Sequence, residues 1–387
     1  MTPAPVDVPP PSAAAVSVAV VGVHGHGRTH VRRVLELAAA GRARLAAVVD
    51  PRPVDGLEHV PPGTAWFPDL EALLAHEPPD VVVLATPIHT HLALASAAMR
   101  AGCDVMLEKP TTASLAEHDE LVRVARETGR ACQVGFQTFG SGAVDEVARL
   151  VASGELGDVA HVAAVGTWVR TTGYYARARW AGHRMLDGVA VVDGVLTNPL
   201  AHAVATALLL AGARTAADVS DVRVDLFHAH RIEADDTSAA VIRTAAGTTV
   251  AAGVTLCAPE RSPARITVHG SEGSATLFYE TDRLEITSGR GTRSVPCGRT
   301  DLLANLLAAR TDPAVALLCP VADTGAFMRV LDAVRSAPEP APIDPAAVQW
   351  FGEGDESHPV VADVELWCER AAREGATFTE LGAPFAR

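Results

Sequence analysis

The sequence predicts an α/β protein: an N-terminal, doubly wound parallel sheet followed by an α+β domain with a large, mainly antiparallel sheet. Three observations predict it. Continuously apolar runs of strand length alternate with helical patterns as far as Gly135, as in a parallel sheet covered on both faces. The first run meets a glycine-rich turn, Gly22-Val-His-Gly-His-Gly27, that opens a helix. Beyond Phe136 the segments alternate or become β-branched and are parted by glycine turns, which marks antiparallel strands.

The elements follow in order. Val16–Val21 is a buried strand, and Val31, Val34, Leu35 and Ala38 give the helix from Arg28 to about Ala40 one apolar face. Strand Leu45–Val49 ends at Asp50, because Pro51 and Pro53 forbid its continuation. Helix Leu70–His76, strand Val81–Ala85, helix His91–Ala101, strand Val105–Leu107, helix Leu115–Thr128 and strand Ala131–Gly135 complete five units. After helix Ala143–Ala152 come strands Val159–Trp168, Val219–His228, Thr237–Thr244, Thr248–Leu256, Ala264–His269, Ala275–Tyr279 and Leu284–Thr287. Helix Pro199–Ala211 packs on one side of that sheet, and helices Leu302–Ala309 and Asp323–Ser336 close the body. Past Pro338 lie a Pro-rich connector and a C-terminal extension, helical over Val360–Arg373. The expected division is a disordered tail over 1–15, a nucleotide-binding domain over 16–135, a substrate and oligomerisation domain over 136–341 and an extension over 342–387.

Composition narrows the function classes. The chain has 387 residues, 48% hydrophobic and 20% charged, which suits about two globular domains. A net charge of −14 with no basic cluster argues against a nucleic-acid partner. The longest apolar run, around Ala203–Ala211, is too short for a membrane span. Met1–Ala15 carries no positive charge and is not a secretory signal. The six cysteines are scattered without a C-x-x-C pair, which suits reduced thiols and a cytoplasmic protein. One count stands apart: of 32 basic residues, only Lys109 is a lysine. Arg matches Lys in surface charge and ion pairs, so Lys109 marks a position where Arg fails.

The glycine turn is an anion site. Glycines admit a pyrophosphate close to the backbone, and the helix N-terminus supplies free N–H groups. Gly22 and Gly27 take the first and third positions of a G-x-G-x-x-G Rossmann fingerprint, whereas His24 stands at the second, beside Gly25 and followed by His26. Asp50, at the tip of the second strand, suits a ribose 2′-hydroxyl and so NAD; Arg52 would instead meet the 2′-phosphate of NADP. The competing reading is a tight strand–helix turn that binds nothing.

Lys109 follows the fourth-unit strand in Val105-Met-Leu-Glu-Lys-Pro110, and Thr86-Pro-Ile-His-Thr-His91 ends the third-unit strand. Both loops leave carboxyl ends of strands, which line the ligand crevice of such a sheet. A compact ammonium at that place donates to a reacting hydroxyl oxygen, stabilises developing alkoxide and titrates when buried, as Arg does not. The alternative is a lysine merely paired with Glu108 or a neighbouring carboxylate.

The string T-P-x-x-x-H, an A-x-x-x-G helix end at Ala98–Gly102, and Glu108-Lys109-Pro110 resemble the Gfo/Idh/MocA family of oxidoreductases, over about Val16–Ala341. The resemblance implies that Lys109 lies near the nicotinamide and the reacting carbinol, and that Glu108, Thr86, Pro87 and His91 contact the cofactor. It implies a second domain whose sheet presents an outer face for subunit contact, hence a homodimer or homotetramer. It also places an acid/base pair at Asn198-Pro-Leu-Ala-His202. There His202 takes the proton-transferring position, and Asn198, which replaces the family's aspartate, orients it.

The expected function is therefore an NAD(P)-dependent oxidoreductase acting on a secondary alcohol or ketone of a sugar, sugar acid or cyclitol. A glycosidase of the same fold that uses NAD transiently is the alternative enzyme. A non-catalytic dinucleotide- or sugar-binding regulator is the third reading, favoured by His24 and Asn198. On the substrate side, Trp168, Tyr174, Tyr175 and Trp180 cluster among Arg170, Arg177, Arg179 and Arg184. Tyr174, Tyr175, Arg177 and Trp180 suit a carbohydrate-like ligand, and loop packing or an interface fits equally. Asp187 and Asp193 read first as turn residues, with hydroxyl recognition second. The pairs His24/His26, His89/His91 and His228/His230 lack a third ligand at proper spacing, so no metal site is expected.

Overall fold

The computed structural model describes residues 15–386. All but the last residue of the expected N-terminal tail lies outside the described residues. The first domain comprises β1 (Val16–Val21), α1 (Gly27–Ala39), β2 (Ala43–Val49), β3 (Ala65–Phe67), α2 (Leu70–His76), β4 (Val81–Leu84), α3 (His91–Arg100), β5 (Asp104–Leu107), α4 (Leu115–Thr128) and β6 (Cys132–Val134). Its sheet is parallel throughout, in the order β3-β2-β1-β4-β5-β6. Every residue of β4 and β5 is buried, which is why both read as unbroken apolar runs. Strand order reverses between β1 and β4, so the ligand crevice opens at their carboxyl ends. The edge strand β3 was not expected from the sequence; it is three residues long, with Trp66 exposed.

The second domain runs through α5 (Gly142–Ala152), β7 (Val159–Thr167), α6 (Thr172–Ala176), β8 (Met185–Leu186), β9 (Val189–Ala190), α7 (Ala201–Leu210), β10 (Val219–His228), β11 (Thr237–Thr244), β12 (Thr249–Thr255), β13 (Arg265–Gly270), β14 (Gly273–Phe278), β15 (Arg283–Ser288), β16 (Gly291–Pro296), α8 (Leu302–Thr311), α9 (Gly325–Ser336) and β17 (Ala341–Pro342). Nine strands form one sheet, β16-β15-β14-β13-β7-β12-β11-β10-β17. The β7–β12 and β10–β17 pairs are parallel and the others antiparallel. α7, buried along almost its whole length, packs on β7, β12 and β13. Gln133 in β6 donates to Leu302 O (2.7 Å) and Asn305 Oδ1 (2.8 Å) of α8 and accepts from Cys319 N (2.9 Å). The late helices therefore lock the two sheets together.

The C-terminal extension is part of this body. Its strands β18 (Val348–Phe351) and β19 (His358–Val361) form a hairpin, followed by α10 (Val364–Glu374) and α11 (Phe378–Leu381). Cys368, Ala371 and Phe378 join Ala163, Val165, Phe227 and Ala239 in a second apolar core beneath the sheet. α10 packs on β12, β7 and β11, so close that a Cβ on Gly253 would lie 2.2 Å from Cys368 O. The centre of the sheet face expected to meet a second subunit is thus covered by this chain's own C-terminal helices. No described helix is long and apolar enough to cross a membrane. All six cysteines are free.

Candidate active site

Local sterics build the nucleotide turn. Gly22 adopts φ +86°, and a Cβ there would lie 2.5 Å from Ala85 O at the end of β4. A Cβ on Gly27 would lie 2.1 Å from Gly22 O. Both positions admit only glycine, and the closeness brings the ends of β1 and β4 together. A Cβ on Gly25 would meet nothing within 4 Å, so this backbone faces open space. No side chain caps α1, and no acidic residue stands in its first turn. An open, uncapped helix N-terminus behind glycine backbone fits a pyrophosphate. His24, at the position of the missing glycine, folds back so that its Nδ1 lies 3.0 Å from Asp50 Oδ2.

Asp50 is 3% exposed. It accepts from Val23 N (3.1 Å), Arg52 N (3.1 Å) and Arg52 Nε (3.3 Å). Burial pushes its carboxyl up, but the contacts with His24 and Arg52 outweigh burial and hold it below the usual carboxylate range. The carboxylate expected at the ribose is here engaged in tying the turn to β2, with Arg52 largely exposed beside it.

Glu108 occupies the floor of the crevice. His30 Nε2 lies 2.7 Å and His26 Nε2 3.5 Å from Glu108 Oε1. A Cβ on Gly135 would stand 3.2 Å from the same carboxylate. Burial raises the Glu108 pKa, yet the hydrogen bonds from His26 and His30 hold it well below the ordinary value, and His26 is raised in return. Thr86 Oγ1 bonds Thr90 Oγ1 (2.7 Å), and Thr90 Oγ1 donates to Pro87 O (2.8 Å), which fixes the loop after β4. His91 departs from expectation. It is 1% exposed, with Nε2 2.9 Å from Thr86 O and Nδ1 3.0 Å from Pro110 O. Its ring nitrogens face carbonyls of the two crevice loops, and the neutral ring donates to one of them at a time, so the ring is buried between the loops rather than turned to a cofactor.

Lys109 reaches across to the second domain. Its Nζ donates to Asn198 Oδ1 (2.6 Å) and Asn198 O (2.9 Å). Asn198 Nδ2 donates to Asp193 Oδ1, and Asp193 Oδ2 accepts from Gly182 N at 2.7 Å. The sequence presented Asp193 first as a turn residue. It sits instead in an irregular stretch just before a turn, where the preceding Val192 holds φ +47°, a strained angle for a β-branched residue, and its carboxylate points into the site. Burial lowers the Lys109 pKa, opposed by the charges of Glu108 and Asp193. Burial raises that of Asp193, opposed by its bond from Asn198. Asn198 does not bond His202: its amide is taken by Lys109 and Asp193.

His202 stands beside Phe136 and Tyr279, with ring centroids 5.8 and 6.4 Å away, and its Nδ1 is buried without a partner. Burial, reinforced by the Lys109 charge, pushes its pKa down to about 3. In the aromatic segment Arg177 lies 3.8 Å over the Tyr174 ring and 5.2 Å over Trp180. Tyr175 turns inward instead, its ring 4.8 Å from that of His230.

Among the described residues, two trios of potential ligand side chains, His26–His30–Glu108 and His230–Asp236–Cys257, each hold their ligand atoms within 4.8 Å of one another. Hydrogen bonding accounts for both. His230 Nδ1 lies 2.7 Å from Asp236 Oδ2, and its Nε2 lies 3.0 Å from Arg170 O.

Comparison with known proteins finds relatives of both domains. Residues 16–136 match the model of an oxidoreductase family with an NAD-binding Rossmann fold, and residues 144–276 match the GFO/IDH/MocA C-terminal domain. A UDP-N-acetylglucosamine 3-dehydrogenase from Acidithiobacillus ferrooxidans is 41% identical over 69 residues, 18% of this chain and 21% of that protein. An NAD-dependent scyllo-inositol 2-dehydrogenase from Bacillus subtilis is 34% identical over 92 residues, 24% of this chain and 27% of its own. The chain thus aligns with only about a quarter of the length of these curated relatives. In fold, it resembles the WlbA dehydrogenase from Bordetella pertussis, solved with NADH and UDP-GlcNAcA. That likeness has a TM-score of 0.69 at 22% identity and covers 85% of this chain and 100% of the other.

Proposed function

The chain belongs to the Gfo/Idh/MocA family of NAD-binding oxidoreductases, and from that premise we propose that it moves a hydride between NAD and a carbinol carbon of a sugar-like substrate, with Lys109 at the reacting oxygen. One observation carries the reading. The only lysine of the chain leaves the nucleotide-binding domain and is held at 2.6 Å by Asn198 of the other domain, where both domains face one crevice.

NAD, when bound, supplies the nicotinamide that accepts or returns the hydride. The uncapped first turn of α1 and the Gly22–Gly27 backbone hold its pyrophosphate. Asp50 and Arg52 stand at the ribose end, and the anionic Asp50 favours NAD over NADP. Lys109 donates to the substrate oxygen and stabilises charge there. Asn198 fixes the ammonium by two hydrogen bonds, and Asp193 balances its charge through the Asn198 amide. His202, neutral above a pH of about 3, offers a lone pair to the hydroxyl proton. It is a weak base, but a hydroxyl whose carbon is losing hydride becomes strongly acidic, so a weak base in place suffices.

The test is calorimetric titration with NADH and NADPH, followed by NADH absorbance with scyllo-inositol and UDP-linked sugars. Binding of NADH in preference to NADPH, with turnover abolished in Lys109→Arg, is the expected result. Binding of neither dinucleotide would overturn the reading.

A further inference from the structure

We propose that the substrate carries an anionic group, a carboxylate or a phosphoryl, and that Arg170 and Arg177 hold it beside the Lys109 crevice. This rests on the oxidoreductase reading above and adds the charge of the substrate to it.

A run of stacked groups follows β7. Arg261 and Arg170 lie over Trp168, at 4.6 and 5.2 Å. Arg170 and Arg177 lie over Tyr174, at 4.7 and 3.8 Å. Stacking uses the face of a guanidinium and leaves its edge, with the N–H donors, free. Arg261 spends that edge on Glu280. Among the described residues, neither Arg170 nor Arg177 has a carboxylate at ion-pair distance. The Arg177 guanidinium makes no hydrogen bond among the described residues. Arg170 reaches its neighbour's carbonyl, Val169 O at 3.3 Å, and the Tyr174 hydroxyl, and its Nε is buried without a partner. A buried donor in that state is costly unless a ligand completes it.

The surroundings sharpen the charge argument. The whole chain carries −14, yet here three cations, Lys109, Arg170 and Arg177, face two carboxylates: Glu108, which His26 and His30 already hold, and Asp193, which burial moves towards its neutral form. The charge of Arg177 acts on both Lys109 and Asp193, so it stands within electrostatic reach of the reacting end. A neutral polyol leaves these cations unmatched. A carboxylate or phosphoryl oxygen pair takes bidentate donors from planar guanidiniums already held by aromatic faces. The segment belongs to the second domain, with Asn198 and Asp193, so the nucleotide turn retains its own anion.

The test titrates the NADH-loaded protein with D-glucuronate, glucose 6-phosphate, UDP-glucose and neutral myo-inositol. At least one anion binds about tenfold or more tightly than myo-inositol, and less so as salt rises. Which anion wins identifies a carboxylate, a monophosphate or a diphosphate as the source. Arg170→Ala and Arg177→Ala each weaken that binding about tenfold and leave NADH affinity in place. The Arg→Lys variants, which keep charge without the fork, bind with intermediate affinity and serve where an alanine variant fails to fold. The proposal falls if no anion outbinds myo-inositol or if the variants bind anions as the parent does. A protein that binds NADH but ignores every anion refutes the charge assignment alone, whereas one that does not bind NADH refutes the reading beneath it as well.

Discussion

The ammonium of Lys109 donates to both oxygens of Asn198, 2.6 Å to the side chain and 2.9 Å to the backbone, so one residue tethers the chain's only lysine. Asn198 in turn donates to Asp193. The carboxylate absent from position 198 is therefore supplied five residues earlier, one hydrogen bond further out. Asp193→Asn keeps the shape and removes the charge, so it lowers the Lys109 pKa further. The double variant Asp193→Asn/Asn198→Asp returns a carboxylate to the lysine and moves the titration back up. Following the pH dependence of the Lys109 resonance in each variant checks the order.

The glycine turn separates folding from binding. Gly27→Ala drives a Cβ into Gly22 O and costs about 2–3 kcal/mol of stability, read by denaturant titration. Gly25→Ala meets open space and leaves the melting temperature unchanged. It weakens NADH binding about tenfold, because the pyrophosphate must approach that backbone. Equal NADH affinity in Gly25→Ala and the parent would take the pyrophosphate off this loop.

Glu108 sets a pH window for stability. Its folded pKa is depressed, so its contribution is present above the unfolded value of about 4.3 and is lost as pH falls through the folded pKa. The His26 pKa is raised, so its share is complete below about 6.5 and is lost as pH rises through the folded value. Glu108→Gln is therefore most destabilised relative to the parent between about pH 4.3 and 6.5. The gap closes on further acidification, as thermal melts across pH will show.

Gly253 measures the hold of the extension. Gly253→Ala places a methyl against Cys368 O, lifts α10 from the sheet and costs about 1–3 kcal/mol. Protease sensitivity confined to the C-terminal helices would accompany the loss.

Much of this was legible in the sequence where local composition decides structure. β1, β4 and β5 are buried on both faces, so their apolar runs announced them, and the glycine turn was legible in the spacing of Gly22, Gly25 and Gly27 between a strand and a helix. β3 and β16 were not legible: β3 is three residues long, and five of the six residues of β16 are exposed, so neither carries an apolar pattern. The extension read as a helical segment without a role because its partners, Phe227 and Ala163 among them, lie over a hundred positions away. Lys109 stood out by composition, and Asn198 by its spacing from His202. Asp193 did not stand out as part of the site, since Val192-Asp193-Gly194 reads as a turn; the fold makes it an irregular stretch before one, and only the tertiary fold sets where its carboxylate points. His91 shows the converse, a motif residue whose ring the fold spends on joining two loops.

The central claim is that Lys109 is a desolvated amine standing where the dinucleotide binds. Because it is the only lysine, protein labelled with ¹³C at the lysine ε-carbon gives one lysine signal, and its chemical shift can be followed against pH with and without NADH. The account predicts a titration below the ordinary lysine value of about 10.4 and a shift in that signal when NADH is added. A signal that titrates at the ordinary value and does not respond to NADH would contradict it.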